Sequence, residues 1–428
     1  MASTDHVKVA IVGGGLCGIS LAIALKKRSI PFTIYETRGS FTELGAGINL
    51  GPNTFHAFQL IDPSLGEALQ NLYCRNPQGK EDVWMQARLG APTQVHEDAM
   101  LITELMAPPT GNVTVQRNDL LHMLAERAGY EHASFDKKLL GYTQSEEEVV
   151  LEFADGTEDT AGVVIACDGI HSAVRRQMLG ADNPATCPEY SGMGAYRALL
   201  LTEDLERAIG SEMARTSQVL LGPGAYMIMY PVDYGRKVNV GFWPWRREPW
   251  ENTQNWVLPA QREAMKKQFA SWGDVCYKIM DLMGDPPFFA THHHATGPES
   301  YISDRVCLIG DAAHAMTPHQ GAGAGQAMED AYVLSEVLQQ IGERPTHGQV
   351  EAALKAYESV RKPRAERVLK TSWEAMSFWA DFYTESLTDE RIQQYIAEAN
   401  QRFQWIWHAD IAAQAKRAVD VMKTTFHA

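Results

Sequence analysis

The chain opens on a short apolar run, Val7 to Val12, broken only by Lys8. A glycine-rich turn follows from Gly13 to Gly18, and Ile19 to Arg28 then spaces its apolar residues at a helical period. Pro31 to Glu36 is a second apolar run that ends on an acid. The pattern predicts strand, turn, helix and strand, a βαβ unit of about 30 residues. From Pro52 to Ala128 helical and irregular pieces alternate, and Glu147 to Phe153 and Val163 to Ala166 read as strands around the Asp155-Gly156 turn. Between Tyr190 and Trp245 the period changes to that of strands: Gly194 to Leu201, Gln218 to Leu221, Ala225 to Pro231 and Lys237 to Trp243, separated by Gly, Pro and Asp. This is an antiparallel insert. Gln261 to Trp272 reads as helix, Phe288 to Ala295 as strand, and Arg305 to Ile309 as a short buried strand ending at Gly310. Gln326 onward is almost continuously helical, punctuated by Pro345 and Pro363, with no internal repeat.

Composition narrows the partners. With 38 basic and 53 acidic side chains the net charge is −15, and no block of basic residues offers a surface for nucleic acid. The six cysteines stand singly, without a CxxC pair, and read as thiols of a reducing compartment. Met1 to Val7 lacks a signal-peptide layout, and no apolar run approaches the roughly 18 residues that span a bilayer. A cytoplasmic protein without membrane contact is expected, as a monomer or a homodimer.

Gly13, Gly15 and Gly18 form GxGxxG between a strand and a helix, where backbone amides approach a pyrophosphate at the positive helix end. Glu36 falls 23 residues after Gly13 (36 − 13), where a carboxylate accepts from both ribose hydroxyls. An acid there argues against a ribose 2′-phosphate, so FAD or NAD fits this turn and NADP does not. A second constellation runs from Gly310 to Gln326: Asp311 at a strand end suits a sugar hydroxyl, Pro318 and His319 face the cofactor ring, and Gly321, Gly323, Ala324 and Gly325 open a helix.

On these motifs the chain, from Val7 to about Arg367, resembles the single-component FAD-dependent aromatic hydroxylases. The stretch Cys167-Asp168-Gly169-Ile170-His171-Ser172-Ala173-Val174-Arg175 resembles the family's DG segment, which implies that Asp168 serves FAD and the reduced nicotinamide. Arg117 matches the family arginine that reaches the flavin side of the cofactor. The resemblance implies an α/β fold: a Rossmann-like FAD-binding domain of the p-hydroxybenzoate hydroxylase type (1–185, returning at 299–345), an inserted antiparallel-sheet substrate domain (186–298) and a C-terminal helical region (346–428). It also implies hydride transfer from NADPH or NADH, a transient visitor, to FAD, and delivery of an OH from a flavin C4a-hydroperoxide formed with O2. The Pro318 to Gln326 phrase is most similar to the salicylate hydroxylase-like branch, which includes decarboxylating hydroxylases of salicylate and fungal dearomatising hydroxylases of polyketide phenols.

Arg197, alone among apolar neighbours on a strand, asks for an anion, and a phenolic or aromatic acid substrate supplies one. Alternation puts Tyr226, Ile228 and Tyr230 on one face and Met227 and Met229 on the other. By resemblance to the dearomatising enzymes, Arg197 and Tyr230 hold the phenolate, with Tyr226 as the rival; a structural ion pair and a capped tyrosine are the alternative. His292, His293 and His294 lack partners for a metal, and none is expected. Phe242-Trp243-Pro244-Trp245 reads either as core or as aromatic pocket. An FAD-dependent reductase or dehydrogenase without oxygen insertion is the competing activity, separated by oxygen dependence.

Overall fold

The computed structural model describes residues 7–42, 47–246, 248–251, 255–342 and 344–426; Met1 to His6, read above for a leader, lie outside them. Val9–Val12, Leu16–Lys27 and Phe32–Tyr35 form the opening βαβ unit, with both strands parallel and paired from Val9↔Phe32 to Val12↔Tyr35. A six-stranded sheet grows around them in the order Ile302–Ser303, Val306–Leu308, Val163–Ala166, Val9–Val12, Phe32–Tyr35, Ala133–Ser134. Four of its five pairings are parallel, only the Ile302–Ser303 edge being antiparallel, and its central strands read as apolar runs, because helices cover one face and a three-stranded sheet the other. Chain segments about 150 and 300 residues from the first strand thereby return beside it, as the α/β reading requires.

The second sheet has eight strands, ordered Val257–Leu258, Phe288–His293, Glu189–Leu201, Lys237–Pro244, Ala225–Val232, Gln218–Gly222, Val83–Leu89, Leu101–Met106. The last two come from the stretch read as helical and irregular. Val83–Leu89 pairs in parallel with Gln218–Gly222, so this sheet is mixed rather than wholly antiparallel. Both faces of Val83–Leu89 are buried, which removes the alternation that marks a strand. The helix read over Gln261 to Trp272 ends at Gln268, and a further helix, Asp274–Met283, lies beyond Gly273.

Pro363 does not punctuate. His347–Ala380 is one helix of 34 residues that runs through it. A proline there forfeits one backbone hydrogen bond, and side chains on both sides hold the helix in place. Arg361 meets Glu329 at 2.6 Å and Asp330 at 2.8 Å, all three fully buried, and Arg364 meets Glu329 at 2.7 Å. Arg361 also donates to Gln414 of the final helix, Ile411–Phe426, and Arg364 to the Ile406 carbonyl. The C-terminal helices are thus tied to Gly323–Leu338, the helix opened by the second glycine cluster.

Candidate active site

Gly13 turns the chain at φ +105°, and a Cβ on it would stand 2.5 Å from the Cys167 carbonyl oxygen. Only glycine lets this turn pass so close to the end of the Val163–Ala166 strand. Gly18 is similarly constrained, its Cβ position lying 2.0 Å from the Gly13 carbonyl. Gly15 caps the helix Leu16–Lys27 in extended conformation, with no side-chain cap and no acid in the first turn. The first-turn amides are therefore left for an anion. Glu36 follows Phe32–Tyr35, and its carboxylate accepts from the Gly14 amide and the Arg38 amide, each at 2.8 Å. Backbone donors orient it and leave lone pairs open to a further donor.

Asp168 accepts from the Ala173 amide at 2.7 Å through Oδ2, while its buried Oδ1 has no partner among the described residues. Burial raises its pKa against the Ser172 hydroxyl and the neighbouring amides, which lower it. Asp311 heads the short helix Asp311–His314 directly after Gly310, whose amide donates to Asp330 at 3.0 Å. Gly321 is left-handed at φ +61°, with its Cβ position 3.2 Å from Trp84 and 3.7 Å from Asn49. Gly323 begins its helix, Ala324 follows, and the Cβ position of Gly325 lies 2.7 Å from Asn53 and Thr54 on the neighbouring helix. That helix start, like the first, has neither a side-chain cap nor an early acid. Arg117 is half-buried at the start of Arg117–Ala128, next to the Gln116↔Gly47 pairing that brings Gly47–Leu50 alongside. Two helix starts with open amides, the Glu36 carboxylate and an orphaned Asp168 oxygen form a donor and acceptor set that fits a dinucleotide.

The second sheet supplies the facing wall. Tyr226 and Ile228 pack on one side of their strand with Trp243, and Met227 and Met229 on the other with Phe242, as alternation predicts. The aromatic cluster is thus divided: Phe242 is core, and Trp243 stacks on Tyr226 with ring planes 5° apart. Arg197 is half-buried beside Gly241, with Phe289 6.0 Å below its guanidinium. Burial raises the Tyr230 pKa, and the positive charge of the neighbouring Arg197 guanidinium offsets part of that rise. Tyr230 in turn donates to the Gly47 carbonyl at 3.2 Å. No carboxylate pairs with Arg197 among the described residues, unlike the ion pair of the structural alternative, whereas the Tyr230 hydroxyl is capped by a backbone carbonyl as that alternative expects.

Pro318 and His319 form a short 3-10 turn before Gly321. His319 is buried, its Nδ1 hydrogen-bonded to the Tyr226 hydroxyl and its carbonyl accepting from the Trp379 indole at 2.9 Å. Sequence reasoning places Tyr226 only as an alternative to Tyr230; the two share a face and have different partners. Trp379, 60 residues from His319, gives no local signal. Asn239, opposite Tyr230 on the adjacent strand, is buried with Oδ1 unpartnered and was missed altogether. Of the three consecutive histidines, His292 stacks on Trp256 at 3.7 Å, and His293 and His294 are buried. Among the described residues no cluster of three or more His, Cys, Asp or Glu is placed to hold a metal, and no helix is long and apolar enough to cross a membrane. A groove of about 870 Å³ opens on the surface between Pro52, Tyr73 and Trp407 and contains none of the residues above.

The FAD binding domain family model matches residues 6–372. The chain is 36% identical to a 6-methylsalicylate 1-monooxygenase of Aspergillus terreus, over 98% of this chain and 93% of that protein. It is 35% identical to a salicylate hydroxylase of Pseudomonas putida, over 95% and 93% respectively. A salicylate hydroxylase structure, a substrate complex, superposes with a TM-score of 0.85 at 33% identity, covering 97% of this chain and 99% of that one. Sequence, fold and an FAD-shaped cradle agree: the chain belongs to the FAD-dependent aromatic monooxygenases of the salicylate hydroxylase branch.

Proposed function

We propose that this enzyme hydroxylates a phenol bound as its phenolate between Arg197 and Tyr230, using O2 and NADPH or NADH as a transient reductant, in the cytoplasm. The carrying observation is the Arg197 guanidinium, without a carboxylate partner among the described residues, beside the buried Tyr230 hydroxyl on the sheet face that carries Tyr226 and Trp243. Bound FAD supplies the hydride acceptor and the oxygen activation. Gly13, Gly15, Gly18, Glu36, Arg117, Asp168, Asp311, Gly321, Gly323, Ala324 and Gly325 are assigned to hold it. Arg197 lowers the pKa of a phenol beside it, and deprotonation makes the ring the better nucleophile. Tyr230, which keeps its proton, turns that proton from the Gly47 carbonyl to the phenolate oxygen when substrate binds. Ile228, Trp243 and Pro318 wall the ring from water, which protects coupling.

We further assign the substrate to the substituted phenols of polyketide type, with dearomatisation at the hydroxylated carbon. Tyr226 and Tyr230 lie four residues apart on one strand, about 13 Å along the sheet, and the Trp243 indole packs over Gly241 of the strand beside them, 2.9 Å from its Cβ position, so the floor between the two ends is aromatic. Such a floor suits a ring carrying substituents. Decarboxylating hydroxylation of salicylate is the second reading, favoured by the named substrates of the relatives. Incubation with salicylate and, separately, 2,4-dihydroxybenzaldehyde, followed by product mass, distinguishes them. Gain of one oxygen on the aldehyde with loss of aromatic absorbance is expected. Gain of one oxygen with loss of CO2 from salicylate establishes the second reading, and anaerobic turnover with another acceptor contradicts hydroxylation.

A further inference from the structure

His319 and Tyr226 share one hydrogen bond, and the proton inventory of the pair decides its direction. Tyr226 is fully buried, and its hydroxyl has no other partner among the described residues. His319 Nε2 is buried and unpartnered. If Nδ1 carried the proton and donated, the tyrosine proton and the Nε2 lone pair would both be stranded. If Tyr226 donates to Nδ1, the ring proton sits on Nε2 and only that one N–H lacks a partner. Each buried unmade bond costs about 1–3 kcal/mol, so the second arrangement is preferred. Burial also pushes the His319 pKa down to about 3 and that of Tyr226 well up, so the imidazole stays neutral and the phenol keeps its proton. Trp243 stacked on Tyr226, and the Trp379 indole on the His319 carbonyl, hold both rings in place.

We propose that Tyr226 is a positioning residue that locks His319 as its neutral Nε2–H tautomer, making the imidazole a hydrogen-bond donor to a carbonyl or carboxylate oxygen of the bound substrate rather than a base. The identity of the acceptor rests on the phenol reading; the tautomer does not. The stranded N–H is then a second recognition point of the site.

The test uses holoenzyme labelled with 15N-histidine and long-range proton–nitrogen correlation spectra, His319 being assigned by its loss in His319→Gln. The expected wild-type signature is a protonated Nε2 and a bare Nδ1, unchanged between about pH 5.5 and 8, the range in which an ordinary histidine titrates. Tyr226→Phe should give a mixed tautomer and raise KM for 2,4-dihydroxybenzaldehyde about tenfold, one neutral hydrogen bond's worth, with a smaller change in kcat. His319→Gln, which still offers an N–H, should retain more of the wild-type KM than His319→Leu. A protonated Nδ1 or an imidazolium in the wild type at pH 7 would overturn the proposal whatever the turnover, as would equal behaviour of the Gln and Leu variants. A wild-type lock with no turnover of either phenolic probe would contradict the phenol reading alone.

Discussion

Gly13 admits no substitute. A side chain there would need φ +105° and would collide with a backbone oxygen at 2.5 Å, which no rotamer change relieves. Gly13→Ala should purify without yellow cofactor, read from the flavin absorbance per protein; full FAD content would refute the close approach as the reason for this glycine. Tyr230→Phe should impair product formation more than Tyr226→Phe, because it removes the donor nearest the phenolate; the reverse order moves the main contact to Tyr226. At this scale the glycine turn, the open helix starts and the acid at a strand end were legible because their rules are local. The Tyr226–His319 pair was not, since the partners are 93 residues apart and meet only when the Pro318–Gln320 turn packs on the second sheet.

Among the elements, the βαβ unit and the strands around Tyr226 followed from their apolar period, and Met227 and Met229 fell on the opposite face as alternation requires. Val83–Leu89 escaped because a strand covered on both sides has no alternation to display. Pro363 misled because local propensity yields to tertiary anchoring. That anchoring makes a prediction. Arg361→Met leaves the buried Glu329 and Asp330 without their central cation, and such breakage costs about 3–5 kcal/mol. Urea unfolding should show that loss. FAD retention should fall with it, because Asp330 also holds the Gly310 amide beside Asp311. A midpoint equal to wild type would mean that packing alone carries the helix through Pro363.

Over the whole molecule, three histidines are buried in neutral form: burial lowers the pKa of His293 to about 4 and those of His294 and His319 to about 3. The unfolded chain takes up these protons below the ordinary value of about 6.5, and the folded chain does not. Stability should therefore fall as pH drops from about 6.5 towards 4, by up to about 1.4 kcal/mol per imidazole per pH unit. Urea midpoints at pH 7, 6 and 5 check this, and a flat profile would show that these imidazoles are not held neutral by the fold. Coupling of reductant to product likewise belongs to the assembled molecule, because cradle, sheet face and helical cap must all close around one ring. The most direct test of the phenolate clamp is product formed per NAD(P)H consumed by Arg197→Ala, measured beside its FAD content. The account predicts normal yellow enzyme, because no FAD-assigned residue is altered, and a fall in coupled product of about 10- to 150-fold, the worth of a charged hydrogen bond of about 1.5–3 kcal/mol. Wild-type coupling in that variant would contradict it.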